Sequence, residues 1–80
     1  MFHYKAEILD ELQRYGITPA ESTDPQEVRD ALNDLYLRDI RALKERLLER
    51  EFPQTEYADR VRELRKNYFL LSIPIGFWTT

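Results

Sequence analysis

The chain has 80 residues, 42% of them hydrophobic and 34% charged, with a net charge of −3 and no cysteine. Eighty residues make one domain at most, near the size at which a single core becomes marginal. The missing cysteine excludes disulfides, a thiol nucleophile and a thiolate zinc site, and the apolar share is too high for a disordered chain.

Charge is unevenly spread. Residues 1–37 hold three bases and eight acids, whereas residues 38–80 hold nine bases and seven acids. Such polarity can orient a partner, or an antiparallel second copy of the chain. The first residues, MFHYKAEILDELQ, place acids where a cleaved leader carries its apolar core, and no stretch approaches the roughly 18–20 apolar residues of a membrane span. A soluble, cytoplasmic protein is expected.

Tyr4, Ile8, Leu12 and Tyr15 recur at helical spacing and predict a first helix over 3–15, ended by Gly16 in a left-handed cap. Asp10 and Arg14 are spaced for an i,i+4 pair. The motif D-P-Q-E at 24–27 then predicts a helix start: Asp24 caps, Pro25 takes the first position, and Glu27 reaches back to close a capping box. No breaker follows until Pro53, so this second helix is expected over 25–50, about 40 Å long. Its inner arc, Val28, Ala31, Leu32, Leu35, Tyr36, Ile40, Leu43 and Leu47, is broad enough for more than one neighbour.

After the break at Phe52-Pro53, Tyr57, Val61, Leu64 and Tyr68 predict a third helix over 55–67, folded back on the second as an antiparallel hairpin. The tail, 68–80, reads YFLLSIPIGFWTT; Pro74 and Gly76 argue for an extended apolar segment. Each short helix covers about half of the long one. The start of the first and the end of the third are therefore expected to meet near Tyr36 and Ile40, with the tail filling the gap beside Phe2 and Tyr4. Burying the tail's apolar side chains roughly cancels the entropy of ordering it, so it lies down only where an apolar groove exists. Either this chain or a partner can supply that groove.

Little in the chain points to chemistry. His3, the sole histidine, lacks companions for catalysis or metal binding. Glu27, Asp30 and Asp34 share a helix face, but without an E-x-x-H companion they read as a solvated acidic face, with Asp34 paired to Arg38. Neither G-x-S-x-G nor a glycine-rich phosphate loop is present. No catalytic residue, cofactor or metal is expected, and the protein is read as not an enzyme.

Nine bases, Arg38, Arg41, Lys44, Arg46, Arg50, Arg60, Arg62, Arg65 and Lys66, would form a phosphate-binding surface if unpaired, but acids are interleaved among them. Leu37 and Leu48 fall outside the inner arc on one meridian of the second helix, with Arg41 and Lys44 between them. EREFPQTEYADRVREL, residues 49–64, is similar in Phe52, Pro53, Glu56, Tyr57 and Leu64 to the helix-turn-helix rhythm of the short C-terminal domain of many bacterial proteins. It lacks that domain's usual glycine before the turn. The likeness implies oligomerisation, but any helical hairpin shares this rhythm and it assigns no family.

The expected fold is therefore all-α: one domain over 1–80, with three helices in an antiparallel arrangement, a long central helix and an extended apolar C-terminal tail. The expected function is a non-catalytic protein–protein interaction module or small accessory subunit, binding a protein partner or a second copy. Its contact residues would be Leu37, Leu48, Phe69, Phe77 and Trp78. The alternative is a nucleic-acid-associated regulator using the bases of 38–66.

Overall fold

The computed structural model describes residues 1–80. Three helices form, α1 (Ala6–Gln13), α2 (Pro25–Leu48) and α3 (Tyr57–Asn67), with no strands. The molecule measures 47 × 17 × 16 Å, with a radius of gyration of 14.9 Å. A compact domain of this length would have a radius of gyration near 12 Å, and α2, about 36 Å long, sets the elongation.

The start of α2 is fixed by its cap. Asp24 accepts a hydrogen bond from the Gln26 amide (2.8 Å), and Pro25 opens the first turn. The expected capping box does not form, because Asp24 caps the Gln26 amide rather than that of Glu27, and the Glu27 carboxylate makes no return bond. At the other end the helix stops at Leu48, two residues early. Arg50 adopts a left-handed φ of 60°, and the Arg50 and Glu51 amides bond back to the Leu47 and Arg46 carbonyls, both at 3.0 Å. Gly16 (φ 75°) ends α1 the same way without the steric cost of a Cβ, and the Ile17 amide bonds to the Leu12 carbonyl (3.1 Å). Arg50 is exposed and makes no ion pair, so Arg50→Gly is expected to raise stability by about 1 kcal/mol, read as an upward shift in the thermal midpoint.

Helix α3 returns along the second half of α2. Arg65 donates to the Tyr36 hydroxyl (3.4 Å), while Arg60, nearer the turn, lies over the Phe52 ring (4.2 Å) beside Arg46 (5.7 Å). These pairings run in opposite order along the two helices, as an antiparallel hairpin requires. Helix α1 differs from expectation at its start. Residues 2–5 are extended rather than helical, because the tail captures them: Lys5 N–H donates to the Trp78 carbonyl (2.9 Å) and Thr80 N–H to the His3 carbonyl (2.8 Å), around a Tyr4–Thr79 bridge. The Tyr4 hydroxyl donates to the Thr23 carbonyl (2.7 Å), placing the start of α1 at the N-terminal end of α2. The end of α1 reaches the middle instead, where Tyr15 stacks on Tyr68 (4.9 Å) and Tyr36 meets Tyr68 edge-on (5.4 Å).

The tail carries on from α3 along the first half of α2. It is not one extended segment. Phe69–Ser72 and Ile75–Phe77 form 3-10 turns, with Ile73 and Pro74 extended between them. Before it reaches the Tyr4–Thr79 bridge, its amides turn inward at i,i+3, as in Ile73 N–H to Leu70 O (3.1 Å) and Trp78 N–H to Ile75 O (3.0 Å). The main core unites Ile8 and Leu12 of α1, Val28 and Leu32 of α2, and Tyr68, Leu70 and Trp78. Four of them, Leu12, Leu32, Leu70 and Trp78, are almost completely enclosed. Of the expected inner arc, Ala31 is exposed, while Leu35, Tyr36, Ile40 and Leu47 are half-buried. In the second half of α2 only Leu43 is fully buried, with Phe52 at the turn.

Candidate functional site

Positions of the expected contact residues follow from this layering. Leu37 (40% exposed) and Leu48 (71%) lie on the face of α2 turned away from the core, as their meridian required. Phe69 (43%) and Phe77 (63%) are the large apolar side chains of the tail left outside, Phe77 with the Lys5 ammonium 5.9 Å from its ring. Trp78 differs: it is 0% exposed within its own chain, its indole N–H donating to the Ile73 carbonyl (3.1 Å). The reason lies in the 3-10 turn at Ile75–Phe77, which directs two consecutive aromatics apart, Phe77 to solvent and Trp78 into the gap between α1 and α2.

Three features did not emerge from sequence reasoning. Arg29 clamps the tail by donating to the carbonyls of Leu71 (3.0 Å) and Ile73 (3.4 Å). A charged residue next to Val28, inside the apolar arc, was the available signal. The second feature is the tyrosine cluster at the mid-point of α2, where the Tyr68 hydroxyl donates to the Asp39 carboxylate. Burial first, then that hydrogen bond and the Asp39 charge, push the Tyr68 phenol up to about 12. Burial likewise raises Tyr4, aided by the charges of Asp24 and Glu27, and Tyr15, where Glu11 adds to the rise and Arg14 opposes it. The Tyr15 hydroxyl is buried without a partner.

The third feature is a groove of about 540 Å³ between α2 and α3, floored by Ala42, Leu43 and Leu64 and rimmed by charged side chains including Asp39, Arg46, Arg60 and Glu63. Arg60 lies 3.7 Å from Glu56 and over the Phe52 ring, its Nε buried without a hydrogen-bond partner, and Arg46 lies 3.7 Å from Glu51.

The other bases are mostly satisfied too. Arg38 pairs with Asp39 (3.5 Å) rather than with Asp34, Arg62 with Asp59 (2.9 Å), and Lys66 with Glu63 (3.3 Å). In α1, Arg14 pairs with Glu11 (2.6 Å) instead of Asp10. Arg41, Lys44, Arg50 and Arg65 remain exposed without an ion pair, Arg65 donating only to the Tyr36 hydroxyl. His3 is exposed, 4.0 Å from Glu21, and no three His, Cys, Asp or Glu side chains converge as metal ligands. No helix is long and apolar enough to cross a membrane.

Fold and surface together define a small all-α domain: a three-helix body built on one long helix and sealed by its own C-terminal aromatic. No protein-family model, curated protein or solved structure matches the chain.

Proposed function

We propose that the protein is a non-catalytic interaction module, a small cytoplasmic accessory subunit whose contacts with other protein chains run through Leu37, Leu48, Phe69 and Phe77. The observation that carries this reading is the division within the tail. Leu70 and Trp78 are withdrawn into the core, while Phe77, next to Trp78, stays 63% exposed. An aromatic held outside a well-packed core by a fixed backbone turn loses little conformational entropy on binding, and such anchors dominate contact energies. Trp78 supports the surface from beneath by fixing the turn that presents Phe77. Engaged bases on α3 weigh against the alternative, a nucleic-acid surface over 38–66, since phosphate binding needs free positive charge.

The test is a set of serine substitutions at the four exposed positions. Folding stability should change by less than about 1 kcal/mol at Leu48 and Phe77, which are mostly in water, and fall by about 1–2 kcal/mol at Leu37 and Phe69, which are more than half covered, so binding is compared at temperatures where circular dichroism shows each variant folded. Binding to protein partners, compared with wild type by quantitative pull-down, should fall by about 10-fold for Phe77→Ser and about 100-fold or more for the quadruple variant. A quadruple variant that keeps every wild-type contact would exclude this surface.

A further inference from the structure

The outer face of α2 carries an arrangement of charge that the isolated chain leaves unanswered. Asp30, Asp34, Leu37, Arg41, Lys44 and Leu48 follow one another at four, three, four, three and four residues, a single stripe opposite Val28, Leu32 and Leu43, and all six are exposed. None of its four charges makes an intrachain ion pair. Asp30 accepts only the Gln26 side-chain amide (2.9 Å), and Arg41 leaves Glu45 unpaired although the spacing would allow it. On α3 the pattern is the reverse, with Arg60–Glu56, Arg62–Asp59 and Lys66–Glu63 all closed within the helix. Moreover, like charges are neighbours on this stripe: Asp30 sits one turn from Asp34, and Arg41 one turn from Lys44. Both arrangements destabilise a lone helix.

We propose that this stripe docks against the same stripe of a second copy, antiparallel, about a two-fold axis through Leu37. The proposal deepens the interaction reading above by naming its partner. Asp30 and Lys44 each lie seven residues from Leu37, two turns in opposite directions, about 10 Å apiece. A two-fold axis there sets Asp30 against Lys44 of the second copy and Asp34 against its Arg41, and both pairs occur twice. The two Leu37 side chains meet at the centre.

Competing arrangements fail on charge. A parallel pair sets acid on acid and base on base. Sliding the antiparallel pair so that Leu37 meets Leu48 gains apolar contact but opposes Arg41 to Lys44, crowding four cations together. The same free charges give no anchor for a phosphate-rich partner, because the acidic half of the stripe would repel it.

The size of the surface sets the strength. A helix face about 36 Å long and 10 Å across offers about 360 Å² per copy, so both copies together lose less than the roughly 1,200 Å² of a standard stable interface. The dimer is therefore weak and exchanges rapidly, with a dissociation constant of about 10⁻⁴ M at low salt, and it loosens as salt screens the half-exposed pairs.

Sedimentation equilibrium on the full chain tests this at ionic strengths of about 0.01 M and 1 M. Wild type should self-associate at the lower and not at the higher. The doubly substituted Asp30→Lys/Asp34→Lys chain has a wholly basic stripe, and Arg41→Glu/Lys44→Glu a wholly acidic one. Each alone should be monomeric, and an equimolar mixture should form a one-to-one complex at least about 10-fold tighter than the wild-type dimer. Circular dichroism spectra matching wild type verify that both variants fold.

Wild type that stays monomeric at about 1 mM and low salt, self-association that either double variant leaves unchanged, or a mixture that fails to associate would each overturn the proposal. The contacts of Phe69 and Phe77 are untouched by these charges, so failure here leaves the serine test of the broader reading standing.

Discussion

Trp78→Ala is expected to abolish most cooperative folding at 25 °C. Trp78 is the largest fully buried side chain, and it closes a core shared by α1, α2 and the tail. Truncating a buried tryptophan costs about 3–5 kcal/mol. A chain of this size has about 4–12 kcal/mol in total, and its elongated shape places it toward the lower end. Trp78→Phe is the control. It keeps most of the apolar contact and gives up the indole N–H, leaving the Ile73 carbonyl with the Arg29 guanidinium at 3.4 Å, for a loss of about 1–2 kcal/mol. Urea unfolding followed by far-UV circular dichroism separates the two. An alanine variant with the wild-type midpoint would show that the tail does not seal the core. Because Trp78 is the only tryptophan, wild-type emission should also stay blue-shifted throughout a dilution series, whatever the oligomeric state.

Tyr68→Phe is expected to lower stability by about 1–2 kcal/mol at neutral pH, through loss of a hydrogen bond to a charged, half-buried acceptor. The Asp39 carboxylate would keep Arg38 at 3.5 Å but lose the phenol. The phenylalanine ring retains the stacking against Tyr15 and the edge contact with Tyr36, so the change isolates the hydroxyl. The alkaline behaviour should follow from the same group. The folded-state phenol titrates at about 12, above an unfolded value near 10, so the native state holds its proton longer. Its contribution is fully present below about pH 10 and is lost as pH rises toward about 12, a fall of about 2–3 kcal/mol. Tyr4 and Tyr15 are shifted in the same direction and add to the loss. Urea midpoints measured from pH 9 to pH 12 should fall steeply for wild type and less steeply for Tyr68→Phe, with parallel curves arguing against a perturbed Tyr68.

The helices were legible because their signals are local. Asp24-Pro25 caps α2 within one turn, Gly16 supplies the left-handed residue that ends α1, and Phe52-Pro53 breaks the chain before α3. Leu37 and Leu48 could be assigned to the outer face of α2 by counting residues, since helical periodicity fixes which side chains share a meridian. The start of α1 could not. His3, Tyr4 and Lys5 carry no signal against helix; they are extended because Trp78 and Thr80, more than 70 positions away, offer backbone partners. The Asp10–Arg14 and Asp34–Arg38 pairings failed for a related reason. Several acids lie within reach of each arginine, and small differences in packing select Glu11 and Asp39.

By itself the sequence determined that the fold is all-α and built on a helix longer than a compact globule of its mass, and that its apolar tail orders only against an apolar groove. Periodicity, caps and composition act over a few residues and survive without a fold. Only the tertiary structure decided whose surface the tail covers, that Trp78 turns inward while Phe77 turns out, and which charges remain unanswered on α2. Those outcomes depend on contacts between segments far apart in the chain, where packing volume and backbone partners, absent from any local window, choose among conformations of nearly equal energy.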